Sequence, residues 1–297
     1  MKVQVEKQPK STLKLSIVVP KEDVKKTYEK ILDDVVIQTE IPGFRKGKAP
    51  KEKVLEKTDI STLYGEVVNA LLQTYYPQAL KEHHVSPVSN PKVEIKEFEL
   101  EKDFVFDATV AIRPEIKIGD YRPLLVKKYQ EKNEALKKTN EERLKTGEKI
   151  EADRAHLLVE DIIEIILGTS EVELADIIVD EEINRMLTRL VDQTQAVGLS
   201  MEDYLKSQNK TAEQLREQYR AVAEKTLKTE FVLSQLIGDM KIEINDSEID
   251  EVIGAAGDAA VKERLKDPVE KWYIKSILAK NKLISELAKE AERNEHA

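Results

Sequence analysis

The stretch Ile41-Pro42-Gly43-Phe44-Arg45-Lys46-Gly47-Lys48-Ala49-Pro50, IPGFRKGKAP, cannot continue a helix or a strand. Pro42 and Pro50 stop a helix from growing in from either flank. Gly43 and Gly47 open backbone angles closed to other residues. The pattern predicts a tight projection with Phe44, Arg45 and Lys46 at its tip and Lys48 behind them. A ring held there is badly placed to fold back into its own core. Beside cations it becomes a contact device, the ring suited to an apolar niche and the cations to carboxylates or phosphates. Taken alone, the same residues also fit a basic surface loop whose Phe packs on its own domain.

Before the loop, Lys21 to Ile37 has helical spacing in Val24, Tyr28, Ile31, Leu32 and Val35. Ahead of that helix, KVQVEK and TLKLSIVV alternate apolar and polar around QPKS, which predicts a hairpin closed by Pro20. After the loop a short helix follows Pro50. A longer one runs from about Ser61 to His84, with Leu63, Val67, Leu71 and Tyr75 on one side. KVEIKEF and DFVFDATVAI then alternate with period two around a polar turn at Glu99 to Lys102. Residues 1–114 therefore read β-β-α-loop-α-α-β-β, an α+β domain.

RPEIKIGDYRPLLVKK is extended and carries two prolines. From Lys127 to Leu167 there is no proline and Gly147 is the one glycine. The first half of that stretch is almost wholly polar, a solvated helix or a linker. From about Ala152 the pattern is helical. Ile183, Met186, Leu187, Leu190 and Val191 form one face, Gly198 is a stop, and a short helix starts at Ser200. TAEQ at Thr211 and NDSE at Asn245 have the spacing of capping boxes. Asp267-Pro268 opens a last helix with Tyr273, Ile277, Ile284, Leu287 and Ala291 along one stripe. No strand is expected after about Leu125. The fold class is α+β: a domain at 1–114, an extended or helical linker at 115–150, and an elongated all-α domain with helical arms at 151–297.

Aromatics make up 5% of 297 residues and charged residues 35%, which suits several small cores joined by amphipathic helices. There is no cysteine, so disulfides and thiolate chemistry are excluded. His83 and His84 are adjacent, His156 is isolated and His296 lies in the tail, which predicts no metal site. No nucleotide-binding or nucleophile motif is present, so neither a cofactor nor a catalytic residue is assigned. Acidic pairs such as Asp33-Asp34 and Glu181-Glu182 read as solvated faces. Residues 1–60 hold 14 Lys+Arg against 10 Asp+Glu, a balance of +4, so the rest carries −13 of the net −9. An anionic partner would meet the basic head. The charged N-terminus and the acid-broken run LLVEDIIEIIL suit a cytoplasmic protein with no membrane partner.

With its surroundings, the loop resembles the ribosome-binding signature of the trigger factor family of bacterial ribosome-associated chaperones. SIVVPKEDVKKTYEKILDD is similar to the family's first strand and helix. VSPVSNPKVEIKEF and FVFDATVAIRPEIKIGDY resemble the end of its N-terminal domain. The run from Ile177 to Leu236, with IEINDSEIDEVI, resembles its helical C-terminal domain. The likeness covers most of 1–126 and 150–290. It implies that Phe44, Arg45 and Lys46 dock on a ribosomal protein beside the tunnel exit, with rRNA nearby. Gly43 and Gly47 would shape the loop and Lys48 would add long-range attraction. The likeness also implies that the stretch from Lys127 to Leu167 returns as one long helix. It implies an ATP-independent chaperone whose helical arms form a cradle for nascent or unfolded polypeptides, and it allows a homodimer when free of the ribosome. Met186 and Met201 would be pliable contacts in that cradle or ordinary packing residues.

One departure stands out. The family usually carries an FKBP-type peptidyl-prolyl isomerase domain where this chain has about 25 mostly polar residues, Lys127 to Glu151. Those cannot build an aromatic-lined pocket, and Trp272 lies in the last helix, so the isomerase activity is not carried over. The competing readings are that isomerase, a holdase working off the ribosome, and an RNA-binding ribosome factor. The net charge of −9 disfavours the last.

Overall fold

The computed structural model describes residues 1–150 and 154–293. The expected start of the helical domain at 151–152 and His296 lie outside them. In chain order the elements are β1 (Lys2–Gln8), β2 (Thr12–Val19), α1 (Lys21–Gln38), α2 (Lys51–Leu55), α3 (Ile60–Glu82), β3 (Lys92–Glu97), β4 (Phe104–Ala111) and β5 (Ile116–Ile118). Then come α4 (Arg122–Thr146), α5 (Val159–Gly168), β6 (Ser170–Val172), α6 (Asp176–Ala196), α7 (Met201–Ser207), α8 (Ala212–Asp239), α9 (Asp246–Ala255), α10 (Ala259–Leu265) and α11 (Pro268–Arg293). Two compact units result: Met1–Pro114 with Leu174–Asn209, and Glu115–Glu173 with the chain from Lys210 onward.

In the first unit an antiparallel sheet runs β1-β2-β4-β3. Its register pairs Leu13 with Val110, Leu15 with Ala108, Ile17 with Phe106 and Val19 with Phe104. Alternate residues of both central strands thus share one face, and all eight are buried. A slip of one residue would turn them all to water. Val24 of α1 and Val67, Leu71 and Ala79 of α3 join that core. An edge-to-face series, Tyr28, Tyr64, Phe98 and Phe104, extends its packing.

Helices α6 and α7 belong to this unit. Lys10 Nζ lies 2.8 Å from Asp176, and the Asn90 N–H donates to Glu181 Oε1 at 2.9 Å. Glu182 is buried and paired with Arg185 at 2.6 Å. The Glu181-Glu182 pair is therefore not the solvated face expected of it. Gly198 ends α6 at φ +74, where the Leu199 N–H reaches the Thr194 carbonyl.

The second unit keeps its core among α4, α5, α8 and α11. Residues 115–150 are part of it. Tyr121, Leu125, Tyr129 and Asn133 recur four apart along one side of α4, and all are buried. The polar residues between them fill the opposite side, which is why the stretch reads as solvated. From Glu134 to Thr146 no side chain is buried, and that half fits the expectation. A single helix from Lys127 to Leu167 does not form. Gly147, at φ +77, closes α4 as the Glu148 N–H bonds the Arg143 carbonyl. α5 begins only at Val159, tied to α4 by Lys132 Nζ at 2.6 Å from Asp161.

One strand does follow Leu125. β6 pairs antiparallel with β5, Ile116 opposite Val172 and Ile118 opposite Ser170. Three residues are too few to show a period, so the ladder exists only through its partner. The other local signals agree with the sequence. Thr211 with Gln214, and Asn245 with Glu248, form reciprocal capping boxes. The expected stripe of α11 is buried only in part: Leu287 and Ala291 are covered, whereas Tyr273 and Ile277 are exposed. Over that first half α11 buries Ile274 and Ala279 instead, with Ile244, Ile249 and Ile253. No helix among the described residues is long and apolar enough to cross a membrane.

Candidate functional site

The opening loop is built from two consecutive turns. The Phe44 N–H donates to the Ile41 carbonyl at 3.0 Å, with Pro42 and Gly43 between them and Gly43 at φ +89. Proline followed by a residue of positive φ is the signature of a type II turn. The Lys48 N–H donates to the Arg45 carbonyl at 2.9 Å, and Gly47, at φ +75, takes the same third position. A Cβ at Gly47 would stand 3.5 Å from the Ile37 backbone, so the second turn lies against the end of α1.

Two apolar feet hold the loop. Ile41 and Ala49 are buried with Leu32 and Val36 of α1, Val54 of α2 and Leu63 of α3. Everything between them except half-buried Gly47 is exposed. Phe44 is 46% exposed, as the loop chemistry predicts for a ring that does not fold inward. Lys46 reaches Glu40 only at 4.0 Å. Arg45 and Lys48 have no ionic partner among the described residues. From Arg45 to Lys57 the chain carries six cations against two acids. Lys51 is held by Asp33 and Lys53 by Glu56, so neither of these acids pairs with a loop cation. The structure thus brings Gly43, Phe44, Arg45, Lys46, Gly47 and Lys48 onto one anchored projection.

Sequence reading missed one neighbour. Ile37, in the last turn of α1, is 60% exposed and backs Gly47. Its helical period carried the only signal, because it falls off the buried Leu32–Val36 side. Met186 and Met201 are both half-buried. Among the described residues no group of three His, Asp or Glu side chains could hold a metal.

The chain thus combines an α+β unit, which carries an anchored loop with an exposed aromatic ring and cations, with a mostly helical unit. Comparison with known proteins makes this more specific. The family model described as bacterial trigger factor protein (TF) matches residues 1–146, and the one for its C-terminus matches residues 133–289. The chain belongs to the trigger factor family. The matched regions overlap, so no isomerase domain lies between them. The trigger factor of Staphylococcus epidermidis is 39% identical over 116 residues, and that of Staphylococcus aureus 38%. These matches take in 39% of this chain, and the chain spans 27% of the length of those relatives. A solved structure described as "Promiscuous Substrate Recognition in Folding and Assembly Activities of the Trigger Factor Chaperone" superposes with a TM-score of 0.67. It covers 98% of this chain and 100% of its own, and at 17% identity the likeness is one of fold.

Proposed function

We propose that this chain is an ATP-independent molecular chaperone. It docks at the ribosomal tunnel exit through the Gly43–Lys48 loop and shields nascent polypeptides with its helical part. The observation that carries the reading is the loop: two glycine turns on buried feet present Phe44 next to Arg45, Lys46 and Lys48, of which only Lys46 has an ionic contact among the described residues, at 4.0 Å. Phe44 would fill an apolar niche on a ribosomal protein. Arg45 and Lys46 would meet carboxylates or rRNA phosphates, and Lys48 would add longer-range attraction. Family membership supports the same partners, with a homodimer as the free form and the cytoplasm as the setting.

The test is co-sedimentation with bacterial ribosomes at low and high salt. The native chain is expected to pellet, less so at high salt. A folded variant carrying Phe44→Ala, Arg45→Ala and Lys46→Ala together is expected to stay in solution. Equal pelleting of the two proteins would remove the loop from the mechanism. If neither pellets while aggregation of an unfolded client is still suppressed, the off-ribosome holdase becomes the better reading.

A further inference from the structure

Among the described residues one acid meets a cation of the loop: Glu40, whose Oε1 stands 4.0 Å from Lys46 Nζ. The backbone puts it there. The Thr39 N–H closes α1 on the Val35 carbonyl at 2.9 Å, and Ile41, the residue after Glu40, is a buried foot of the loop. Glu40 is therefore pinned between a helix end and an anchor. The second turn, Arg45 to Lys48, folds back so that Gly47 lies against Ile37 at the end of α1. That return brings Lys46 beside the residue that leaves the helix. The other acids nearby behave differently. Asp33 is paired with Lys51 and Glu56 with Lys53. Glu52, exposed in the first turn of α2, has no ionic contact among the described residues.

From Glu40 to Lys48 the chain carries three cations and one acid, a balance of +2. Both partners of the Lys46–Glu40 contact are largely in water. An exposed pair of this kind shifts an equilibrium by a factor of roughly 1.5 to 5. That is too little to shape the loop, which its turns and buried feet already do. It is enough to tune how tightly the loop binds, because an anionic partner has to take Lys46 from Glu40. We infer that Glu40 is a built-in competitor for Lys46, which keeps the loop's affinity for the acidic or phosphate groups of the ribosome below what its cations alone would give. This rests on the ribosome-docking reading and adds to it a residue that limits affinity.

The full chain is titrated onto purified bacterial ribosomes by co-sedimentation at low and high salt. At low salt Glu40→Gln is expected to bind about 2- to 5-fold more tightly than the native chain. The gain is expected to fade at high salt, as it must for exposed charges. Glu52→Gln removes the same formal charge without touching a loop cation, and is expected to change affinity much less. In a Lys46→Met background Glu40→Gln is expected to gain little, because the contact it removes is already gone. Urea midpoints of the native chain and Glu40→Gln are expected to agree.

Equal binding by Glu40→Gln and the native chain would overturn the competitor. So would an equal gain from Glu52→Gln, which would assign the effect to net charge. An undiminished gain in the Lys46→Met background would take Lys46 out of it, and a lowered urea midpoint would make Glu40 a structural residue. Failure of the native chain to sediment with ribosomes at low salt rejects the docking reading itself. Native sedimentation with no effect of Glu40→Gln rejects the competitor and keeps the docking loop.

Discussion

Asp107 concentrates the charge of the sheet's open face. It is 5% exposed, and it accepts from the Ser16 hydroxyl at 2.6 Å with Lys14 Nζ at 2.9 Å and Lys96 Nζ at 3.8 Å. Burial alone would push its carboxyl up. The Ser16 hydrogen bond and the two ammonium groups outweigh burial and hold it below the usual carboxylate value. A pKa lowered on folding contributes stability above the unfolded value, about 3.9, and that contribution is lost as pH falls through the folded one. Asp107→Asn is therefore expected to cost about 2 kcal/mol at neutral pH. In urea unfolding across acid pH, the gap to the native chain should shrink below pH ~4. A constant gap would mean that packing, not charge, is what the substitution removes. Tyr76 presents the opposite case. Its hydroxyl is buried with no hydrogen-bond partner among the described residues, and burial raises its pKa. Tyr76→Phe removes an unsatisfied group and keeps the ring. It is expected to leave stability unchanged or raise it by up to about 1 kcal/mol, and a clear loss in thermal unfolding would reveal a partner for that hydroxyl.

Elements test how far local pattern reaches. Gly119 donates its N–H to the Thr169 carbonyl at 2.8 Å, and a Cβ there would lie 2.7 Å from that same oxygen. Backbone cannot swing aside as a side chain can. Gly119→Ala should therefore push β5 from β6 and cost about 1–3 kcal/mol, measured by urea midpoint. In α4, Leu125→Ala should cost roughly 2–5 kcal/mol, and Leu144→Ala, at a position 65% exposed, almost nothing. Similar costs at the two sites would contradict a helix that is half core and half solvated. These are the places where the sequence was hardest to read. Strands β2 and β4, the capping boxes at Thr211 and Asn245, and the glycine stop at Gly198 announce themselves within a few residues. Their causes are local: alternation, a reciprocal hydrogen bond, a positive φ. The loop's two turns were legible for the same reason. The burial of Tyr129, the pairing of Ser170–Val172 and the half-covered stripe of α11 depend on what another element brings to them. No window of sequence contains that partner.

At the scale of the whole molecule the decisive property is how sparse aromatic residues are spent. The chain has five Phe, nine Tyr and one Trp. Phe104 and Phe106 are buried in the sheet, Tyr121 and Tyr129 in the helical core, and Phe44 and Trp272 are exposed. A prolyl isomerase must desolvate a proline inside an apolar pocket, and the family models leave no span of chain for such a domain. A holdase needs no such pocket, only dispersed apolar surface that binds many sequences weakly. The two activities separate in one experiment. A client whose refolding waits on proline isomerisation relaxes in about 10–100 s at 25 °C. Added in excess, this chain is expected to raise the yield of refolded client by keeping it from aggregating, and to leave the slow rate constant unchanged or somewhat lower through transient retention. An accelerated slow phase that survives repurification, and that scales with the amount of chain added, would place catalysis in residues assigned here to packing and docking. A higher yield at constant rate is what dispersed surface, without an active pocket, produces.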